Sequence, residues 1–151
     1  MILPKKLKLT QRVLKHVAKP VEFRYPAQLE RLSMMMHAFM QEQNGIGLAA
    51  PQVGISRRVF VMNVNGIMRT CFNPEALWPT EDQLFVYTEG CLSFPDDTVT
   101  VSRPRKVLAR YQDHFGNWHE QELEEVESTC YQHELDHLNG ITMHDRANAK
   151  G

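Results

Sequence analysis

An α+β domain is predicted for this chain, with short antiparallel β-sheets packed around a C-terminal helix and one long amphipathic helix near the N-terminus. Three observations carry the expectation: a helical hydrophobic period after Pro26, short β-rich runs between residues 57 and 123, and a second helical stripe ending before Gly140. In chain order, residues 10–18 suit a short helix or turn that stops at Lys19-Pro20, because proline pushes its predecessor out of the helical region. From Pro26, the residues Leu29, Leu32, Met36, Phe39 and Met40 recur at spacings of three and four, with Asn44-Gly45 as the stop. At that spacing the run Met34 to Met36 is core packing rather than a soft-metal box.

The runs RRVFVMNV, MRTCFNP and QLFVYTE are rich in β-formers and separated by turn residues such as Asn65-Gly66, which reads as an antiparallel meander. TVTVS, KVLARYQD and NWHEQEL form a second β set, with Phe115-Gly116-Asn117 turning between the last two. Over residues 124–138 the positions Val126, Cys130, His133 and His137 fall on one helical stripe, and Gly140 ends it.

The chain has 151 residues, room for one domain spanning 1–151. With 42% hydrophobic and 23% charged residues it is neither disordered nor a membrane protein in composition. Seventeen Lys and Arg against 18 Asp and Glu give a formal net charge of -1, without the broad basic field that nucleic-acid binding uses, so no direct nucleic-acid partner is expected. No run reaches the roughly 18 apolar residues of a membrane span, and MILPKKLKLT lacks the order of a secretory signal, so a cytoplasmic location and no membrane partner are expected. Cys71, Cys91 and Cys130 cannot all pair within one chain, which leaves at least one thiol as filler, nucleophile or metal ligand.

The chemistry concentrates in His133-Glu134-Leu135-Asp136-His137, an H-E-x-x-H pattern on the late helix. Residues four apart lie about 6 Å apart along a helix, so two imidazoles can converge on one metal with the Glu beside a bound water. A catalytic site of this type needs a third protein ligand. The extended peptidase pattern fails, with Met143 where a third His belongs, and after His137 the sole carboxylate is Asp145, so the ligand lies upstream. Cys130 is seven residues before His137, about 10 Å along the axis, too far to share a metal with both His. Cys71 sits in a β-like run that favours packing. Cys91, bent between Gly90 and Pro95, is the best candidate, the alternative being a turn cysteine without a role. A third segment, GIGLAAPQVG at residues 45–54, is nearly bare backbone that admits a ligand close to main-chain groups, with Gln52 adding a side-chain amide; ordinary turn chemistry is the alternative.

GIGLAAPQ, EGCLS and QHELDHLNG, in this order, resemble the three signature motifs of the peptide deformylase family, over about residues 5 to 145. The resemblance implies a metal-dependent hydrolase that removes the N-formyl group from the N-terminal formyl-methionine of new polypeptides and releases formate. It implies one divalent ion, natively Fe2+ with Zn2+ or Ni2+ as substitutes, held by Cys91, His133 and His137 with water in the fourth position. Glu134 would be the general base, and the Gln52 amide and Leu92 backbone N–H would hold the carbonyl oxygen. For the substrate it implies backbone pairing at Ile46 and Gly47 and a methionine pocket walled by Ile46, Tyr87, Val126, Cys130 and the edge of His133, with Thr129 nearby. Glu89 and Arg103 would pair to brace the loop of Cys91. Most relatives continue further past the metal helix, and the short form resembles some bacteriophage-encoded deformylases, in a bacterial cytoplasm or that of a phage's host. The partners so implied are N-formylmethionyl peptides and nascent chains, with transient ribosome contact, for a monomer. Two rivals are an H-E-x-x-H metallopeptidase and a closed structural metal site completed by His114 or His119.

Overall fold

A hydrophobic period places α1 at Pro26–Glu42, where Leu29, Leu32, Met36 and Met40 are all buried. Proline opens this helix in its first turn, and the Gly45 amide donates to the Met40 carbonyl (2.9 Å) as it ends. Core packing holds for Met36, which is buried, and for Met35, which packs against the core, but Met34 points to solvent, so the three sulfurs do not converge on one point. Residues 10–18 take the turn alternative: isolated hydrogen bonds such as His16 N–H to the Val13 carbonyl (3.1 Å) replace a helix. The computed structural model describes residues 1–78 and 83–148.

After α1 come β1 (Gly47–Ala49), a single 3-10 turn (Ala50–Val53), β2 (Val59–Val64), β3 (Ile67–Leu77), β4 (Leu84–Cys91), β5 (Phe94–Pro104), β6 (Lys106–Gln112), β7 (Trp118–Glu124), α2 (Glu125–Leu138) and α3 (Met143–Asn148). The strands form a five-stranded antiparallel sheet in the order β1-β2-β3-β6-β7 and a separate β4-β5 hairpin. Among the described residues no helix is long and apolar enough to cross a membrane.

The large sheet lies between the two long helices. Val59 and Val61 of β2 pack with α1, while Phe60, Met62 and Val64 pack with α2 through Tyr131, Leu138 and Cys130. Alternate side chains point to opposite faces of a strand, so a strand buried on both faces reads as the near-continuous apolar run seen in β2. Tyr131 sits in this core edge-on to Phe60 (5.1 Å) and spends its hydroxyl on the Glu75 carbonyl at 2.8 Å.

The simple meander of the first three β runs does not form. β3 leaves β2 and pairs with β6 (Glu75 with Arg110, Leu77 with Leu108), whereas β4 turns back on β5 (Phe85 with Arg103, Glu89 with Val99). The reason is what each strand can bury. β6 brings Val107 and Ala109 to the α2 core, but β4 buries only Glu89 and leaves Leu84 and Val86 exposed, so it has no apolar face for the main sheet. A register shift after Phe72, where Asn73 adopts a positive φ of 47°, bends β3 toward its new partner, and the Asn73 side chain ties Val21 and Gln112 into the bend.

Candidate metal centre and active site

Cys91 is the last residue of β4. It pairs with Phe94, so Leu92 and Ser93 make a two-residue reversal, and a register shift between Gly90 and Cys91 re-aims the strand end. The helix α2 supplies the rest: Val126, Cys130, His133 and His137 share its inward stripe, and the two histidines lie one turn apart with ring centroids 4.9 Å from each other. The hairpin and the helix bring three donors together, with Cys91 Sγ 3.4 Å from His137 Nε2 and the two histidine Nε2 atoms 3.2 Å apart. Among the described residues these three side chains are the group of His, Cys, Asp and Glu able to hold a metal, their donor atoms all within 4.8 Å of one another.

The donor set fits a divalent cation in distance and in charge. Metal–nitrogen bonds of about 2.1 Å and metal–sulfur bonds of about 2.3 Å at tetrahedral angles give donor separations of about 3.4 Å for two nitrogens and about 3.6 Å for nitrogen and sulfur, close to those found. Electrostatics calls for positive charge at the same point. Burial opposes a charged His133, but Glu134, Cys91 and Glu89 outweigh it and raise its pKa to about 10. His137 is pushed the other way, by burial and then by the charge on His133, so the pair accepts a single positive charge between its rings. The second nitrogen of His133, Nδ1, bonds Glu89 Oε1 at 2.8 Å, the outer partner that fixes the tautomer of a metal-ligating imidazole. Burial works against the Glu89 carboxylate, yet bonds from His133 and Arg103 hold its pKa below the ordinary range. Arg103 grips it with two bonds, Nε to Oε2 at 2.6 Å and Nη2 to Oε1 at 3.0 Å.

Glu134 is buried, and burial raises its pKa to about 7, within reach of proton exchange at neutral pH. Its Oε1 has no hydrogen-bond partner among the described residues, and Oε2 is 3.9 Å from His133 Nε2. A carboxyl so placed is suited to take a proton from a molecule in the cleft. Gln52, also buried, accepts the Ala49 amide on Oε1 (2.9 Å) and donates from Nε2 to Ser93 Oγ (3.0 Å), with Cys91 Sγ at 3.5 Å, so its amide is oriented toward the donors.

A cleft of about 410 Å³ opens beside these groups, lined by Ile46, Gly47, Gln52, Tyr87, Glu89, Cys91, Leu92, Val126, Thr129, Cys130, His133 and Glu134 among others. The sequence candidates therefore meet at one place, with His137 closing the donor triad behind the wall. Burial raises the Cys130 thiol pKa well above its usual value, and its Sγ lies 3.6 Å from the Ile46 carbonyl, a wall contact rather than a ligand. Among the described residues the edge strand β1 pairs on one side only, with β2, which leaves its other side available along the cleft. His114 and His119 do not join the donors: His119 bonds Asp113 at 2.8 Å and His114 faces Glu30 at 3.8 Å.

Sequence reasoning missed Ser93, Gln11, Asp136 and Arg146. Gln11 Nε2 donates to the Ser93 carbonyl (3.1 Å) and braces the reversal after Cys91. Asp136 is inside the H-E-x-x-H run, is buried and accepts Arg103 Nη1 at 2.8 Å; an acid next to a candidate donor histidine was the available signal. Arg146 carried none.

Three lone-pair donors at tetrahedral spacing, with a near-neutral carboxyl beside them and a cleft in front, serve hydrolysis assisted by a divalent cation, and this chain is a hydrolase of that class. Its relatives give the family. The polypeptide deformylase family model matches residues 5–151. A peptide deformylase of Thermotoga neapolitana is 43% identical over 134 residues, 89% of this chain and 80% of the relative. The crystal structure of peptide deformylase from Thermotoga maritima superposes with a TM-score of 0.89 at 39% identity, covering 95% of this chain and 98% of that one. A probable peptide deformylase from Synechococcus phage S-SSM7 matches with a TM-score of 0.87 at 34% identity, covering 93% and 99%. The chain belongs to the polypeptide deformylase family, whose activity is removal of the N-formyl group from newly made polypeptides. The three ordered motifs pointed to this family, and the α+β fold accords with its solved structures.

Proposed function

We propose that the chain deformylates N-formylmethionyl peptides and nascent chains at the Cys91, His133 and His137 centre, as a monomeric single-domain enzyme of residues 1–151 in the cytoplasm. The observation that carries the reading is the convergence of those three donors beside the unpartnered oxygen of Glu134. Cys91, His133 and His137 would hold a divalent ion, Fe2+ in the native enzyme and Zn2+ or Ni2+ as substitutes, whose Lewis acidity would polarise the formyl carbonyl and acidify a cleft water.

The chain's own residues do the rest. Glu134 Oε1 takes the proton of the attacking water as its oxygen bonds to the formyl carbon. The Gln52 amide and the Leu92 backbone N–H stabilise the charge gathering on the carbonyl oxygen; one such donor typically contributes about 3 kcal/mol. Glu134 then returns the proton to the departing amine as the carbon–nitrogen bond breaks, leaving formate and a free N-terminus. Ile46, just before β1, and Gly47, its first residue, pair with the extended peptide, and Ile46, Tyr87, Val126, Thr129, Cys130 and the edge of His133 enclose its methionine side chain. Transient contact with the ribosome delivers nascent chains to the cleft.

The test is formate release from formyl-Met-Ala-Ser by protein loaded with Fe2+ under anaerobic conditions. The parent should release stoichiometric formate, and Glu134→Gln should keep its metal but lose about 10²- to 10⁴-fold in turnover. Cleavage of internal amides without formate overturns the reaction, and parent-like turnover of Glu134→Gln overturns the role of the base.

A further inference from the structure

Behind the metal centre the buried charges continue past Arg103. Asp136, one residue before the ligand His137, is 5% exposed and carries two guanidinium groups. Its Oδ2 accepts Arg103 Nη1 at 2.8 Å and Arg146 Nε at 2.9 Å, and its Oδ1 accepts Arg146 Nη2 at 2.7 Å. With the Arg103–Glu89 pair and the Glu89 bond to His133 Nδ1, an unbroken line of charge-assisted hydrogen bonds runs from α3 to a donor of the metal centre: Arg146, Asp136, Arg103, Glu89, His133.

Arg146, at the α3 end of this line, supplies Asp136 with a guanidinium of its own, so that Arg103 is not its only cation. Glu89 and Asp136 are two buried carboxylates, and Arg103 alone is one buried cation. Buried ions need full pairing, and removal of one partner leaves an uncompensated charge. Without Arg146, Asp136 and Glu89 compete for a single guanidinium, and whatever Arg103 shifts toward Asp136 is taken from the carboxylate that orients His133.

We infer that Arg146 is a positioning residue for the metal centre: through Asp136 and Arg103 it keeps Glu89 fixed on His133 Nδ1, so that His133 Nε2 stays turned to Cys91 and His137. The inference rests on the metal-centre reading above and goes beyond it by making α3 a working part of the site. A purely mechanical role is separable, because α3 has a second tie, Lys15 Nζ to Asp145 Oδ2 at 3.1 Å, which is exposed and touches none of these groups.

The experiment measures Zn2+ dissociation constants by competition with a chromophoric chelator for the parent, Arg146→Ala, Arg146→Lys and Lys15→Ala, with the His133 Nδ1–H proton followed by NMR in each zinc-loaded protein. Outer partners of metal ligands are typically worth 10- to 100-fold in metal affinity, and Arg146, 47% exposed, belongs at the lower end. Arg146→Ala should weaken zinc about tenfold and speed exchange of the His133 proton. Arg146→Lys should fall between, and Lys15→Ala should match the parent. Parent-like affinity in Arg146→Ala, or equal weakening in Lys15→Ala, overturns the inference. Should Arg146→Ala fail to fold, the comparison of Arg146→Lys with Lys15→Ala decides in the same terms. A parent protein that binds no zinc would instead overturn the metal centre itself.

Discussion

Gly47 sets the position of the proposed base. A Cβ at this residue would lie 2.5 Å from Glu134 Oε2 and 3.0 Å from Cys130 Sγ, inside contact distance of both. The atom in the way is the end of the carboxylate itself, so Gly47→Ala can be accommodated by turning Glu134 aside at small cost to the fold. Displacement of a reacting group by about 1 Å is enough for a 100-fold loss. Gly47→Ala should therefore lower kcat about 100-fold with little change in melting temperature; a variant with parent-like kcat would show that Glu134 has no fixed position to lose. At this scale the sequence was informative where chemistry is local. His133, Glu134 and His137 follow from one helical repeat, and Cys91 from a bent segment between glycine and proline. Arg146, Ser93 and Gln11 were silent because their partners lie far away in the chain and no period marks them. Glu89 and Arg103 became legible only through a family resemblance, although their pairing is the firmest ionic contact near the site.

The helix α2 carries most of the proposed chemistry, and its C-terminal end is held as carefully as its two donor histidines. The Leu138 carbonyl accepts both the Ala18 amide (2.8 Å) and Arg58 Nη1 (3.0 Å), and the chain leaves through Gly140 at φ 74°. A Cβ on Gly140 would meet the Lys15 carbonyl oxygen at 2.6 Å, and this atom is backbone that cannot swing away. Gly140→Ala combines a left-handed conformation with a backbone clash, costing about 1–3 kcal/mol, which lowers the melting temperature of a domain this size by on the order of 5 °C. An unchanged melting curve would contradict the close approach of α2 to residues 15–18. The two long helices were the legible elements, since α1 and α2 each write their period into the sequence, whereas the six-residue α3 is too short to show one. Strand partners were not. QLFVYTE looks like a strand in any β-sheet, and its pairing with β5, which leaves β3 to β6, follows from what it buries: no apolar face, and Glu89 bonded to the Arg103 of β5.

Across the whole molecule the site lies at a junction of three parts: the free side of edge strand β1, the β4-β5 hairpin, and α2 beneath the main sheet. Each contributes what the others lack, with backbone from the first and Gln52 from the 3-10 turn that follows it, the sulfur from the second, and two imidazoles and the carboxyl from the third. The cleft exists only when all three are assembled, so metal binding should report on the complete fold. The central claim is that one cation is shared by Cys91, His133 and His137, and X-ray absorption spectroscopy of zinc-loaded protein tests it most directly. One sulfur at about 2.3 Å and two imidazole nitrogens at about 2.0–2.1 Å are predicted, with the sulfur lost in Cys91→Ser. A parent spectrum with only nitrogen and oxygen in its coordination sphere would contradict the account.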